Sequence, residues 1–500
     1  MIKAPSVDWL ALAPIMTLII GSFVLLLLAA FIRGRDRGLG MLIGMLTFAV
    51  SAGFAISAWN TPALTTLADA VQIDQLTQGV TVLIAGCGIL TLLVGFGWNR
   101  MREQGAEFVA LLLLAGAGMD LIAASNSFVT VFVGLELFSI SLYVLCAFDV
   151  KSKASLESGF KYLVLGTVGS IVLVYGSAFL YGATGSFDFE AINTALTKAG
   201  SGDALVILGT VLVLVGLSFK IGVMPFHMWV PDVYEGAPTN VTGFMSAATK
   251  IAAFVALARV LLDALPAMRD TWAPALIVLA VITMLGGTIA ALVQTNIKRM
   301  LAYASIGAAG FGLIPIIVGG DSGTRALLFY LAAYAPMAIG AFAVVALHER
   351  DCKGVATLES IRGWGFGRPV AAASMIIFLL GFAGFPLTVG FIGKFVVLGS
   401  AVQHDYVWLA VVAVISSVIS LGFLLRIILA MFDRSAKSSA MMAGTQGVAS
   451  VNLAIVLCLL IVLIGGVLPG LGIDWAADAA RSLAVGRQTG WQRLIFFQRP

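Results

Sequence analysis

The chain has 500 residues, of which 60% are hydrophobic and only 11% charged, with a net charge of +4. Ordinary soluble domains carry roughly 25% charged residues, so these values exclude a soluble multidomain protein and indicate an integral membrane protein. Its basic residues are scattered through short loops without aromatic interleaving, which excludes nucleic acid as a partner.

The opening segment MIKAPSVDWLALAP lacks the basic start and small-residue cleavage site of a signal peptide, so the first helix is expected to be a retained span. Apolar runs long enough to cross hydrocarbon predict about fourteen helices, at 8–32, 39–59, 76–98, 106–124, 126–148, 156–182, 204–227, 239–262, 271–296, 299–319, 323–348, 370–400, 406–432 and 448–472. With the N-terminus outside, the inner loops hold Arg33, Arg35, Arg37, Arg100, Arg102, Lys151, Lys153, Lys298, Arg299, Arg350, Lys353, Arg362, Arg368, Arg434 and Lys437. The outer segments before the tail hold only Lys3, Lys198 and Arg269. Inner loops collect Lys and Arg, and one helix more or fewer in mid-chain would scramble this division.

The segments 183–203, 350–369, 433–447 and 473–500 are too small for a nucleotide-binding or redox domain. Glycine spacing such as Gly40 to Gly44 reads as close helix packing. In the tail, Trp491, Phe496 and Phe497 alternate with Arg487, Arg493 and Arg499, a pattern suited to a membrane interface. Cys87, Cys146, Cys352 and Cys458 form no C-x-x-C, and His227, His348 and His404 stand far apart, so neither a metal nor a cofactor is expected on this chain.

Glu136, Lys220, Lys250 and Lys394 lie inside long apolar runs. A charge at the centre of a membrane helix costs roughly 2.5–3.5 kcal/mol, and such groups persist where they face one another, water or a polar cavity, which points to ion or proton movement. Lys250 sits near the middle of VTGFMSAATKIAAFVALARVLL, too deep to snorkel. Burial favours the neutral form of a lysine, so it can load and release a proton, whereas arginine cannot. Glu136, well inside its own span, has the reciprocal problem. At an assumed separation of about 7 Å and an effective dielectric of 20, a Glu and a Lys attract by about 2.4 kcal/mol. Opening or closing such a pair would switch a lysine between holding and donating its proton; a static buried pair is the plainer alternative.

Prolines interrupt the run from Lys220 to Pro225 and the run Gly384-Phe385-Pro386 ahead of Lys394. Proline frees backbone carbonyls that need partners or water in lipid, and broken helices at corresponding places in two halves mark transporters built from repeats. Lys161, near an inner helix end, and His227, just past the first break, are accessory candidates. Asp120, Arg259, Arg325 and Arg426 are lesser ones, and Arg259 and Arg426 are placed where snorkelling explains them.

Several strings carry a family resemblance: LELFSISLYVL around Glu136, ESGFKYLVLG around Lys161, FKIGVMPFHMWVPDVYEGAPT around Lys220, SAATKIAAF around Lys250, QTNIKRMLAYASIG around Lys298 and GFPLTVGFIGKF around Lys394. From about residue 105 to 432 the chain resembles the antiporter-like membrane subunits of complex I, the proton-translocating NADH:quinone oxidoreductase. The resemblance implies an all-α integral membrane fold of about fourteen transmembrane helices, with two inverted five-helix halves that each contain a Pro-broken helix. The implied units are a three-helix segment at 1–104, halves at 105–265 and 266–432, and a last helix with its tail at 433–500.

It further implies proton pumping coupled to quinone reduction, with NADH, FMN, iron–sulfur clusters and quinone bound by other subunits. The implied partners are other membrane-arm subunits, including antiporter-like neighbours, in the lipid bilayer of a bacterial plasma membrane, with both termini on the outer face. By the same resemblance Glu136 and Lys220 form the modulating pair of one half-channel, Lys250 is the connecting lysine, and Lys394 is the terminal lysine of the other half-channel. Lys394 stands where one branch of the family has glutamate, and no long lateral helix follows residue 472. Mrp-type cation/proton antiporters and membrane-bound hydrogenase subunits share the motifs and form the alternative. One departure stands out: ASIGAAGF places Ala308 where many relatives have histidine, so the relay from Lys250 to Lys394 is expected to use water, Tyr303, Ser305 or another group.

Overall fold

Apolar sequence in a bilayer can satisfy its backbone only internally, and here it does so as helices. The computed structural model describes residues 7–31, 38–96, 105–199, 202–435 and 449–481. The inner-loop residues Arg33, Arg35, Arg37, Arg100, Arg102 and Lys437, together with Lys3 and the aromatic–arginine tail, lie outside the described residues. Helices α1 (Ala13–Phe31), α2 (Leu39–Ser57), α3 (Gln75–Gly95), α4 (Gly105–Ala123), α5 (Phe128–Cys146) and α6 (Lys153–Thr184) each cross once. The short α7 (Phe189–Ala199) precedes α8 (Ala204–Ile221) and α9 (Trp229–Gly236), the two parts of a broken crossing. Next come α10 (Thr239–Phe244) and α11 (Lys250–Arg259), joined by a π-turn at Met245–Thr249; with a second π-turn at Val260–Ala264 they make one continuous, wholly buried span.

The second part of the chain contains α12 (Arg269–Leu292), α13 (Ile297–Val318), the long α14 (Gly320–Cys352) and the short α15 (Trp364–Gly367). A second broken crossing, α16 (Pro369–Ala383) and α17 (Val389–Gln403), is followed by α18 (Val407–Met431) and α19 (Ala449–Val467). Among the described residues thirteen helices are long and apolar enough to cross a membrane, and the α16–α17 pair adds the fourteenth crossing. This is the expected all-α membrane fold. A small hairpin, β1 (Leu64–Thr66) against β2 (Val71–Ile73), was not expected from sequence; it covers one end of α3 and α4.

Both breaks are made by glycine rather than by the proline that follows. Gly222 has φ +80° and Gly384 φ +83°, left-handed values natural to glycine. Behind each, an amide reaches back five residues, Val223 to the Ser218 carbonyl at 3.0 Å and Phe385 to the Leu380 carbonyl at 2.9 Å, closing a Schellman cap. Pro225 and Pro386 then prevent the helix from resuming. The freed carbonyls are taken up locally: the Trp229 indole donates to Phe219 at 2.9 Å, and the Lys394 ammonium donates to Ala383 at 3.3 Å.

The two ends of the bundle are fastened differently. At one end, Arg259 is wholly buried, donating from Nη2 to Asp74 at 2.7 Å and Thr77 at 2.9 Å, and from Nε to the Ala123 carbonyl at 2.6 Å. It therefore ties α11 to α3 and α4 and does not snorkel. At the other end, Asp232 and Glu235 on α9 receive Arg299 of α13 at 2.6 and 3.0 Å, and Asp232 also receives Lys161 of α6 at 2.9 Å. The bridge between Asn296 and Thr357 lies at this same end, so the start of α13 with Lys298 and Arg299 shares one face with the basic segment 353–368, as the alternating crossings require.

Two measurements test these fastenings. Arg259→Met leaves Asp74 buried without its partner and is expected to cost about 3–5 kcal/mol of stability, read as a lower denaturation midpoint, with Asp74→Asn in the same chain recovering most of it. Gly384→Ala forces a left-handed alanine and sets its Cβ 2.9 Å from Lys394 Cδ. A loss of about 1–2 kcal/mol is expected from the backbone alone; an unchanged midpoint would contradict the cap.

Candidate functional site

The helix breaks put lysines beside exposed carbonyl ends. Lys220 is in the last turn of α8, where the unpaired carbonyls form the negative pole of the helix. It is buried, donating to the Ser139 hydroxyl at 3.0 Å and the Tyr143 hydroxyl at 3.4 Å, both on α5. Glu136 lies on the same helix, and Ser139 and Tyr143 follow it at i+3 and i+7, so one face of α5 carries the carboxyl and both hydroxyls. Glu136 acts on Lys220 electrostatically, yet the two form no direct ion pair among the described residues. Glu136 Oε1 is buried without a hydrogen-bond partner.

Lys394 reaches the same kind of environment from the other direction. Its backbone belongs to the second turn of α17, but its ammonium turns back to the Ala383 carbonyl at the end of α16 and to the Ser417 hydroxyl at 3.0 Å. The Phe311 ring lies 4.6 Å away, within cation–π range. In one half the lysine precedes the break and its ammonium turns to the hydroxyls of α5, and in the other it follows the break and its ammonium turns back to the carboxyl end of the half-helix.

Lys250 has no helix end to use. It follows the π-turn at Met245–Thr249, is buried, and donates to the Ser305 carbonyl of α13. Ser305 and Ala308 are three residues apart on α13, so they share a face of that helix. Ala308 lines a cavity with Lys394, Phe311, Tyr330, Tyr334 and Ser417. Its water-accessible volume of ≈ 30 Å³ is room for about two waters at roughly 10–15 Å³ each. Thr288, Ser416 and Ser420 add hydroxyls to the wall, and Tyr330 donates to the Ala308 carbonyl at 2.8 Å. The place expected to hold a histidine is thus a small, largely apolar cavity with hydroxyls in its wall, beside Lys394.

The accessory residues divide. His227 lies beyond the first break with Nδ1 buried and unpartnered, its ring 6.4 Å from that of Tyr303. The structure therefore brings His227 and Tyr303 together at the edge of the α13 face, and Ser305 takes part through its carbonyl. Lys161 is placed elsewhere, in the ion-pair network with Glu157 and Asp232, its side chain 39% exposed.

Sequence reasoning missed Ser139, Tyr143, Ser417, Tyr330 and Tyr334. Helical spacing from Glu136 would have found the first two, and the hydroxyl run Ser416, Ser417, Ser420 inside an otherwise apolar span signalled the third. No local signal marks the tyrosines or Asp74. Among the described residues no group of three His, Cys, Asp or Glu forms a metal site.

Residues 125–420 match the family described as NADH:quinone oxidoreductase/Mrp antiporter, TM. A relative named NADH-quinone oxidoreductase subunit N, from Trichlorobacter lovleyi, is 38% identical over 460 residues, covering 91% of this chain and 94% of the relative. A solved structure of respiratory complex I from Thermus thermophilus contains a chain with 30% identity and a TM-score of 0.78, covering 93% of this chain and 99% of that one. The Mrp complex from Dietzia sp. shares the fold, with a TM-score of 0.83 at 18% identity over 95% of this chain and 97% of that one. The chain belongs to the NADH:quinone oxidoreductase/Mrp antiporter family of membrane subunits, and within it to the group of NADH-quinone oxidoreductase subunit N.

Proposed function

We propose that this chain is a proton-translocating membrane-arm subunit of an NADH:quinone oxidoreductase, moving protons along Lys220, Lys250 and Lys394 under the influence of Glu136. The observation that carries this reading is how the buried cations are partnered. Lys220 rests on two hydroxyls, Lys250 on a carbonyl, and Lys394 on a carbonyl and a hydroxyl. None of the three has a carboxylate in ion-pair contact among the described residues, so each can shed a proton without breaking a salt bridge. Arg259, by contrast, is paired with Asp74 and cannot lose its proton. The chain thus uses arginine with a carboxylate as a lock and lysine with neutral oxygens as a carrier.

In this reading each half contributes one broken helix and its lysine: residues 105–265 supply Lys220 and the central Lys250, and residues 266–432 supply Lys394, with 1–104 and 433–500 flanking them. Glu136 biases Lys220 through the field across α5 and α8. The chamber at Ala308, with Tyr330, Tyr334 and Ser417, carries protons through water where the histidine is missing; Tyr303 and Ser305 stand earlier on the same helix, on the Lys250 side, with His227 next to Tyr303. Lys161 holds α6 to α9 at the inner surface. NADH, FMN, iron–sulfur clusters and quinone belong to other subunits, and neighbouring antiporter-like subunits flank this one in a bacterial plasma membrane, both termini outside. Cation/proton antiport of the Mrp kind is the second reading, supported by the shared fold; co-purification with flavin and iron–sulfur subunits separates the two.

The decisive substitution is at Lys250. With the complex assembled and reconstituted in vesicles, Lys250→Met is expected to lower NADH-driven proton uptake by about 10²-fold, the scale of losing a positioned acid–base group. Lys250→Arg keeps the charge and is expected to fail as well, because it cannot deprotonate. Normal assembly with undiminished pumping in Lys250→Met would leave a structural scaffold as the better reading.

A further inference from the structure

Asp120 is a buried ionisable group that the lysine row does not use. It is wholly buried in α4, and neither carboxyl oxygen has a hydrogen-bond partner. Thr81 of α3 lies beside it, outside hydrogen-bonding geometry. Two further orphan atoms belong to the same region, Gln78 Oε1 and Arg259 Nη1. Buried polar atoms without partners are rare, and ordered water commonly satisfies such a group.

Position along the bundle follows from the contacts. Arg259 donates to the Ala123 carbonyl, and Thr77 shares that acceptor at 3.3 Å. The π-turn before Lys250 also touches α4, so α4 and α11 run in the same direction. Asp120 is three residues below Ala123, and Lys250 nine residues below Arg259, which sets Asp120 roughly 9 Å above Lys250 at 1.5 Å per residue. Thr81, one turn below Thr77, is level with Asp120. Asp120, Thr81, Gln78 and Thr77 therefore form a polar stripe from above Lys250 to the Asp74–Arg259 pair, inside helices that are otherwise apolar.

We propose that Asp120 is a proton-holding site between Lys250 and the Asp74 end of the bundle, a branch outlet of the lysine row; this rests on the proton-relay reading above. Asp120 releases its proton through water toward Thr77 and the Asp74 end, and becomes a carboxylate. The carboxylate then draws a proton from the Lys250 ammonium through intervening water, restoring the neutral acid and leaving a neutral amine. No oxidation or reduction takes place on this chain. The charges at the far end of the stripe, Arg259 and Asp74, are paired with each other and keep their protonation while Asp120 cycles.

The test uses the full complex in vesicles. Asp120→Asn preserves shape and is expected to reduce the protons moved per NADH oxidised, by this subunit's share of the ratio, with electron transfer to quinone retained and Asp120→Glu recovering part of the loss. Infrared difference spectra of wild-type complex with isotope-labelled aspartate provide a readout that needs no variant: a protonated-carboxyl band that shifts in heavy water and changes during turnover. Pumping at the wild-type ratio in Asp120→Asn, or a labelled carboxyl band unaltered by turnover, overturns the proposal. If Lys250→Met abolishes pumping while Asp120→Asn does not, the outlet fails and the relay stands; if Lys250→Met also pumps normally, the relay itself is wrong.

Discussion

The structure depends on one constraint: in a medium without water, every ammonium group and every broken helix end must satisfy something nearby. Gly222 and Gly384 stop their helices with left-handed caps. At the second break the two needs are met together, because the freed Ala383 carbonyl accepts from the Lys394 ammonium. At the first they are met side by side: Trp229 takes the Phe219 carbonyl, and Lys220 turns to the Ser139 and Tyr143 hydroxyls of α5. The continuous central span has no such end, and Lys250 follows a π-turn and borrows the Ser305 carbonyl instead.

That economy separates fastening from transport. The fastenings are ion pairs: Arg259 with Asp74 at one end, and Arg299 with Asp232 and Glu235 at the other. They hold the central helix and the two halves in register while fixing their charges. The carriers of the proposed relay are lysines bound to neutral oxygens, whose protonation can change without dismantling the bundle. The hydroxyl-lined chamber at Ala308 suits the same logic, since small polar walls admit water where a larger side chain would fill the space.

Much of this was legible in the sequence because it depends on local pattern. Apolar run length gave the crossings, and charges inside those runs singled out Glu136, Lys220, Lys250 and Lys394. The breaks were readable too, but they were attributed to Pro225 and Pro386, whereas the helices end earlier, at the residues before Gly222 and Gly384. What stayed hidden is pairing at long separation. Asp74 and Arg259 are 185 residues apart, and nothing in either neighbourhood indicates that they meet; Arg259 therefore read as a snorkelling residue. Tyr330 and Tyr334 carry no local mark in the apolar run of α14, and only folding places them around Ala308. Direct contact between Glu136 and Lys220 also could not be judged from spacing, and in the structure Ser139 and Tyr143 take the ammonium.

In the proposed relay Lys250 and Lys394 exchange protons through a hydrated space that replaces a side chain at Ala308. The most direct measurement is a map of the assembled complex at a resolution that shows ordered water. The account predicts waters in the chamber bounded by Ala308, Tyr330, Tyr334 and Ser417, joined by hydrogen bonds to Lys394 and leading toward Ser305 and Lys250. A dry chamber, closed by apolar packing between Ser305 and Lys394, would contradict it.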